Sequence, residues 1–201
     1  MITGKQLFLS TEELPIRSMP RVEQDVVALF NQMLSSGIVR GVQVLATSRY
    51  KQYDGLYRIN YEAPFTKYMH DDDNPLGIDK GQFAGAINPI ISKVQVLEYK
   101  YTLDDLIEEF QAGEKDTNEV HLVVAWEIGT NWKAAYDIVS YLDERNSHLR
   151  TFHGFTHALY RPGQHNPVFE AIILKDLVLY LQDQQKESDR QKQLYSEDII
   201  S

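Results

Sequence analysis

Residues 94–110 read VQVLEYKYTLDDLIEEF, and two periodicities meet inside them. Through Tyr101 the side chains alternate. Val94, Val96, Glu98 and Lys100 share one face, and Gln95, Leu97, Tyr99 and Tyr101 share the other, which predicts a strand over KVQVLEYKYTL (93–103). From Leu103 the apolar residues fall at helical spacing, at Leu103, Leu106, Ile107 and Phe110. Thr102 is placed to cap that helix, Asp104 and Asp105 sit in its first turn where the dipole favours acids, and Gly113 marks its end. The next segment, EVHLVVAWEIG (119–129), is almost continuously apolar, the pattern of a strand buried on both faces. Strand, helix and buried strand in succession predict an α/β fold.

Upstream, Pro20 suits a first helical turn. RVEQDVVALFNQMLSSG (21–37) aligns Val22, Val26, Leu29 and Met33 on one stripe and Glu23, Val27, Phe30 and Leu34 on the next, with Gly37 as the stop. GVQVLATS (41–48) and YDGLYRINY (53–61) predict an antiparallel hairpin with its turn at RYKQ (49–52). A loop holding Pro64, Pro75 and Pro89 runs from 62 to 92, long enough to suggest a functional segment. Downstream, the pattern predicts a helix from Trp132 to Leu142, with Trp132, Ala135, Tyr136 and Val139 aligned. Short strands at Phe155–Tyr160 and Val168–Leu174 follow, then a helix from Asp176 running into QDQQKESDRQKQ (182–193). The expected architecture is a mixed central sheet flanked by helices, in the order αβββαβ with C-terminal strands and a helix. An irregular leader (1–19) precedes the domain (20–181), and a polar tail (182–201) is expected to fray or to bind a partner.

The chain has 201 residues, 43 % of them hydrophobic and 24 % charged, enough for one ordinary core. It lacks cysteine, which excludes disulfides, thiol nucleophiles and thiolate metal sites. No run approaches the ~20 apolar residues of a membrane span, and the N-terminus does not read as a signal peptide. A soluble cytoplasmic protein is expected. The first 100 residues carry 11 basic and 11 acidic side chains, so the whole net charge of −9 lies in the second half. A polyanion would have to meet a local basic patch, for which Arg17, Arg21, Arg40, Arg49, Lys51, Lys67, Lys93 and Lys100 are available.

The candidate chemistry lies at Glu23, Asp54 and Glu98-Tyr99-Lys100. Glu98 and Lys100 project from one strand face. If Asp54 lies on a neighbouring strand, the two carboxylates repel unless a proton or cation stands between them. With oxygen ligands alone the natural cation is Mg²⁺ or Mn²⁺. Tyr99 would add its main-chain carbonyl, Lys100 would orient water or stabilise developing charge, and Glu23 would complete the shell or hold a second metal, directly or through water. As a triplet, acid-x-Lys is no rarer than chance, and its weight comes from the element order. The alternative is that Asp54 belongs to a turn and that Glu98 and Lys100 form a charge pair on an edge strand.

With this order, QYDGLYRI (52–59) and VQVLEYKYTLDDLIEEF (94–110) resemble the PD-(D/E)xK nuclease superfamily, across roughly residues 20 to 128. The resemblance implies a restriction-endonuclease-like core with Asp54 and Glu98 as metal ligands, Lys100 as the catalytic lysine and Glu23 as an accessory acid. It implies metal-dependent hydrolysis of DNA. No proline precedes Asp54, where the idealised motif has one. A module that binds DNA or a protein partner without catalysis, a domain of a larger polypeptide or complex, and a homo-oligomer stay open.

Other motifs carry less. His153 and His157 are four apart but in a strand-like context, with His165 nearby; contact with DNA or with the core is the reading there. Asp71-Asp72-Asp73-Asn74 has a calcium loop's composition without its spacing, Glu108 and Glu109 read as surface acids, and Trp126 and Trp132 read as core. No phosphate-binding glycine loop and no GxSxG elbow is present.

Overall fold

Leu29, Phe30 and Met33 are fully buried along one side of α1 (Glu23–Ser35). That helix packs its apolar stripe on the sheet, as the spacing requires. Val22, expected in the same stripe, is 55 % exposed, because it is the extended residue that precedes the first turn. A computed structural model describes residues 18–48 and 52–195. The leader up to residue 17, the hairpin turn at 49–51 and the end of the tail at 196–201 lie outside the described residues, as do Arg17, Arg49 and Lys51.

Eight strands form one mixed sheet. They are β1 (Val42–Thr47), β2 (Gly55–Tyr61), β3 (Ile90–Ile91), β4 (Gln95–Thr102), β5 (Val120–Glu127), β6 (Asp137–Ser140), β7 (His157–Tyr160) and β8 (Phe169–Ile173). The spatial order is β1-β2-β4-β5-β8-β7-β6, with the two-residue β3 beside β2. The β4, β5 and β8 strands are parallel and the other pairs antiparallel. α2 (Leu103–Gln111) follows β4 without a break, and its first turn is closed by a reciprocal cap between Thr102 and Asp105. Asp104 accepts hydrogen bonds from the main-chain N–H groups of Thr130 and Asn131. Gly129 just before them has φ +80°, and a Cβ there would fall 2.2 Å from the Asp104 carboxylate, so only glycine fits.

Two apolar clusters cover the two faces of the sheet. One joins α1, α3 (Leu174–Gln182), Tyr57, Leu97, Tyr99, Leu122 and Trp126; the other joins Leu103, Leu106 and Ile107 of α2 to Val123, Ala125, Ile138 and Ile173. β5 is therefore buried on both sides, as its composition required.

Three expectations need correction. Residues 132–142 do not form a helix: after a short 3₁₀ turn at Asn131–Ala134 the chain becomes β6, an antiparallel partner of β7. Ile138 faces the second cluster and Val139 the first, and this two-residue alternation decides the conformation. The 62–92 segment is not a free loop. Tyr68, Leu76, Ile78 and Phe83 are core residues, and the Arg150 guanidinium pins the segment by donating to the carbonyls of Pro75, Gly77, Tyr141 and Phe155. The polar tail does not fray over its described length. It forms a separate helix, α4 (Gln184–Leu194), with Glu187, Ser188 and Gln191 buried.

What docks α4 is polar. Buried His157 contacts Gln191 Oε1 through Nε2 at 3.0 Å, and Arg190 donates to Asp176 and Glu187. Replacing Gln191 with Leu leaves the His157 N–H without an acceptor and is expected to cost about 1–3 kcal/mol. Urea denaturation with an unchanged m-value would record that loss, whereas an unchanged midpoint would show that α4 contributes little.

Candidate active site

The β2–β4 ladder pairs Tyr57 with Gln95, Leu56 with Val96 and Gly55 with Leu97, and there it ends. One step further, Asp54 faces Glu98. The side chains continue where the main-chain ladder stops. Asp54 N donates to Glu98 Oε1 at 3.1 Å, and Tyr99 N donates to Asp54 Oδ2 at 2.9 Å. Asp54 lies in the bend just before β2, and its carboxyl group still meets that of Glu98. Because β4 sits between β2 and β5, it is not an edge strand.

Glu98 is fully buried and Lys100 nearly so, yet they do not pair with each other. Lys100 Nζ donates to Glu109 Oε1 at 2.6 Å, while Lys115 Nζ bridges Glu98 Oε2 and Glu109 Oε2, the latter at 3.0 Å. This corrects two readings: the Glu98–Lys100 charge pair is absent, and Glu109 is a half-buried member of the site. Lys115, in the segment linking α2 to β5, had no motif to announce it. The only signal for Glu109 was its place on α2, two helical turns beyond the strand that carries Lys100.

A cleft of about 530 Å³ opens beside the pair, lined by Glu23, Gln24, Val27, Thr47, Ser48, Asp54 and Tyr99. Glu23 reaches it because the first turn of α1 lies over the C-terminal half of β4. Burial and then the neighbouring Asp54 hold the Glu23 carboxyl above its ordinary range, against the pull of Lys100 and Lys115. Burial also pushes Glu98 up, Lys115 pulls it back, and Asp54 raises it again, leaving it at about 7. Burial opposes ionisation of Glu109, but Lys100 and Lys115 together hold its carboxyl below the usual range. Tyr99 packs edge-on against Phe30, and its phenol is pushed up to about 12 by burial and Asp54. Its buried hydroxyl has no hydrogen-bond partner among the described residues, although Tyr99 lines the cleft.

Among the described residues, no three histidine, aspartate or glutamate side chains form a ready-made metal cage. The donors present nonetheless fit a hard divalent cation in kind. Mg²⁺ is ordinarily held by one or two carboxylates, with water and substrate phosphate supplying the rest. Asp54 and Glu98 are such a pair, one of them resisting ionisation beside the other, and among the described residues the charged groups lining the cleft are two carboxylates. A phosphodiester entering it would be repelled without a cation.

Comparison with models of protein families, with curated proteins and with solved structures finds no match to this chain.

The remaining candidates are structural. His153 accepts from Arg40 N through Nδ1 at 3.3 Å, which leaves Nε2–H to donate to Asn74 Oδ1 at 2.9 Å. Burial, with Arg40 and Arg150 nearby, depresses its pKa to about 3. His157 is likewise buried and shifted downward, chiefly by desolvation, and His165 is exposed. Asn74, from the aspartate-rich stretch, donates to the carbonyl of Met69 at 2.8 Å. Of the basic residues in the first half, Arg40 donates to the carbonyls of Gly37 and Lys67, and Lys67 lies over the Tyr68 ring.

The raised Glu98 pKa makes a signed prediction. Its folded value lies above the ordinary 4.5, so the contribution to stability is complete below about 4.5 and is lost as pH rises through about 7. Glu98→Gln, neutral at every pH, should lack that descent. Urea unfolding of both proteins across this range would show the difference, and parallel profiles would refute it.

Proposed function

We propose that the chain is a metal-dependent nuclease that hydrolyses DNA phosphodiester bonds on a restriction-endonuclease-like core of the PD-(D/E)xK type. The observation that carries this reading is the meeting of Asp54 and Glu98 at the open end of the β2–β4 ladder, beside a cleft that also presents Glu23. The order α1, β1, β2, β4, α2, β5, with the short β3 set beside β2, is consistent with it.

In this reading Asp54 and Glu98 hold Mg²⁺ or Mn²⁺, with the Tyr99 main-chain carbonyl and Glu23 as further oxygens. The bound cation supplies Lewis acidity toward the phosphodiester. Lys100 orients the attacking water and balances charge developing on the scissile phosphate. Glu109 aims Lys100, through the 2.6 Å contact. The end of the cleft nearest Thr47 and Ser48 offers hydroxyl groups to the sugar-phosphate backbone.

A second reading, a DNA- or protein-binding module without catalysis, has one observation in its favour: the Lys115 ammonium already neutralises Glu98. Metal separates the two. For the nuclease, Mn²⁺ raises the melting temperature and Asp54→Asn removes the rise; for the module, neither protein responds.

Lys100→Ala should lower the cleavage rate of a DNA substrate at least ~100-fold in Mg²⁺ or Mn²⁺ while leaving the circular dichroism spectrum unchanged. Cleavage at the parental rate by that variant would remove Lys100 from the assignment.

A further inference from the structure

Lys115 has a place that the reaction outlined above does not use. It stands outside any helix or strand, two residues after Gly113, whose φ of +71° ends α2 and around which a Cβ would meet nothing within 4 Å. From this open turn its side chain reaches inward and is largely buried between two carboxylates. One of them, Glu98, has its other oxygen occupied by the Asp54 N–H. The second, Glu109, is held independently by Lys100 at 2.6 Å.

Charge makes the arrangement specific. Among the described residues, Glu23, Asp54, Glu98 and Glu109 bring four carboxylates, whereas Lys100 and Lys115 bring two ammonium groups. When all are ionised the group is short by two positive charges, the charge of one divalent cation. The Glu98 oxygen that such a cation would need is the one on which Lys115 rests. Two cations on that one oxygen would repel each other at contact distance.

We propose that Lys115 is the displaceable counter-ion of the candidate metal site. It holds Glu98 while the site is without metal, and yields that oxygen to the incoming cation while Glu109 retains it. Lys115 lies in the segment between α2 and β5, outside the sheet, whereas Lys100 is carried by the central strand β4. The ammonium takes the role a proton plays at other close carboxylate pairs and keeps the acids from pushing β2 and β4 apart. This inference rests on the metal reading of Asp54 and Glu98.

The test is calorimetric titration of the full chain with Mn²⁺ at about pH 8, without nucleic acid. Lys115→Met removes the competitor and is expected to bind Mn²⁺ at least ~10-fold more tightly than the parent. Lys115→Arg keeps the charge and should bind no more tightly than the parent. If Lys115→Met does not fold, Lys115→Gln carries the same expectation. Equal or weaker binding by the uncharged variant overturns the counter-ion role and leaves the nuclease reading standing. Absence of Mn²⁺ binding in parent and variant alike, or binding that survives Asp54→Asn, overturns both.

Discussion

The reciprocal contact between Asp54 and Glu98 is what the functional end of this molecule depends on. Where strands β2 and β4 part, each strand leaves a main-chain N–H without a strand partner, and such groups are costly to bury unpaired. Each acid takes the N–H offered by the other strand: Glu98 that of Asp54, and Asp54 that of Tyr99. A carboxylate is a stronger acceptor than the carbonyl it replaces. The strands can therefore separate without an energetic gap, and the separation brings two acids together beside open space. The local structure thus holds like charges at close quarters, and the neighbourhood answers with lysines.

That answer is layered. Lys100 neutralises one oxygen of Glu109, Lys115 spans Glu109 and Glu98, and Glu23 and Asp54 are left facing the cleft. Among the described residues, the gradient runs from ion pairs in the interior to acids without a lysine or arginine partner at the opening, on a chain whose net charge is −9.

Much of the fold could be read from residue periodicity because its central elements are strongly patterned. The switch from alternation to helical spacing at Thr102–Leu103 coincides with the observed boundary. The run 119–129 gave a strand buried on both faces; Asp54 stood near the start of its strand, but which strand it would neighbour was open in the sequence, and the β2–β4 register is what brings it to Glu98. The region 132–142 failed because Trp132, Ala135, Tyr136 and Val139 satisfy a helical stripe, while the partner that makes Asp137–Ser140 a strand lies twenty residues on, at His157–Tyr160. The tail failed for another reason. Average polarity hides the fact that Glu187, Ser188 and Gln191 are buried together, with Gln191 against His157 and Ser188 accepting from the main chain of Glu144, both far back in the chain. Glu109 and Lys115 were invisible for the same reason, since an ion pair across elements leaves no mark in local sequence.

Arg150 shows how far this reliance on polar contacts extends. Its side chain is wholly enclosed and meets only carbonyl dipoles, four of them, drawn from the 62–92 segment, the turn after β6 and the start of the β7 region. Among the described residues no acid pairs with it, and burial lowers its pKa only to about 10, so it stays charged at neutral pH. A partly assembled chain, with any of these three stretches out of place, would strand a cation away from both water and its dipoles. Intermediates of that kind are penalised, so the ordering of the 62–92 segment is coupled to that of residues 141–155, with Arg150 more than seventy positions along the chain from Pro75 and Gly77.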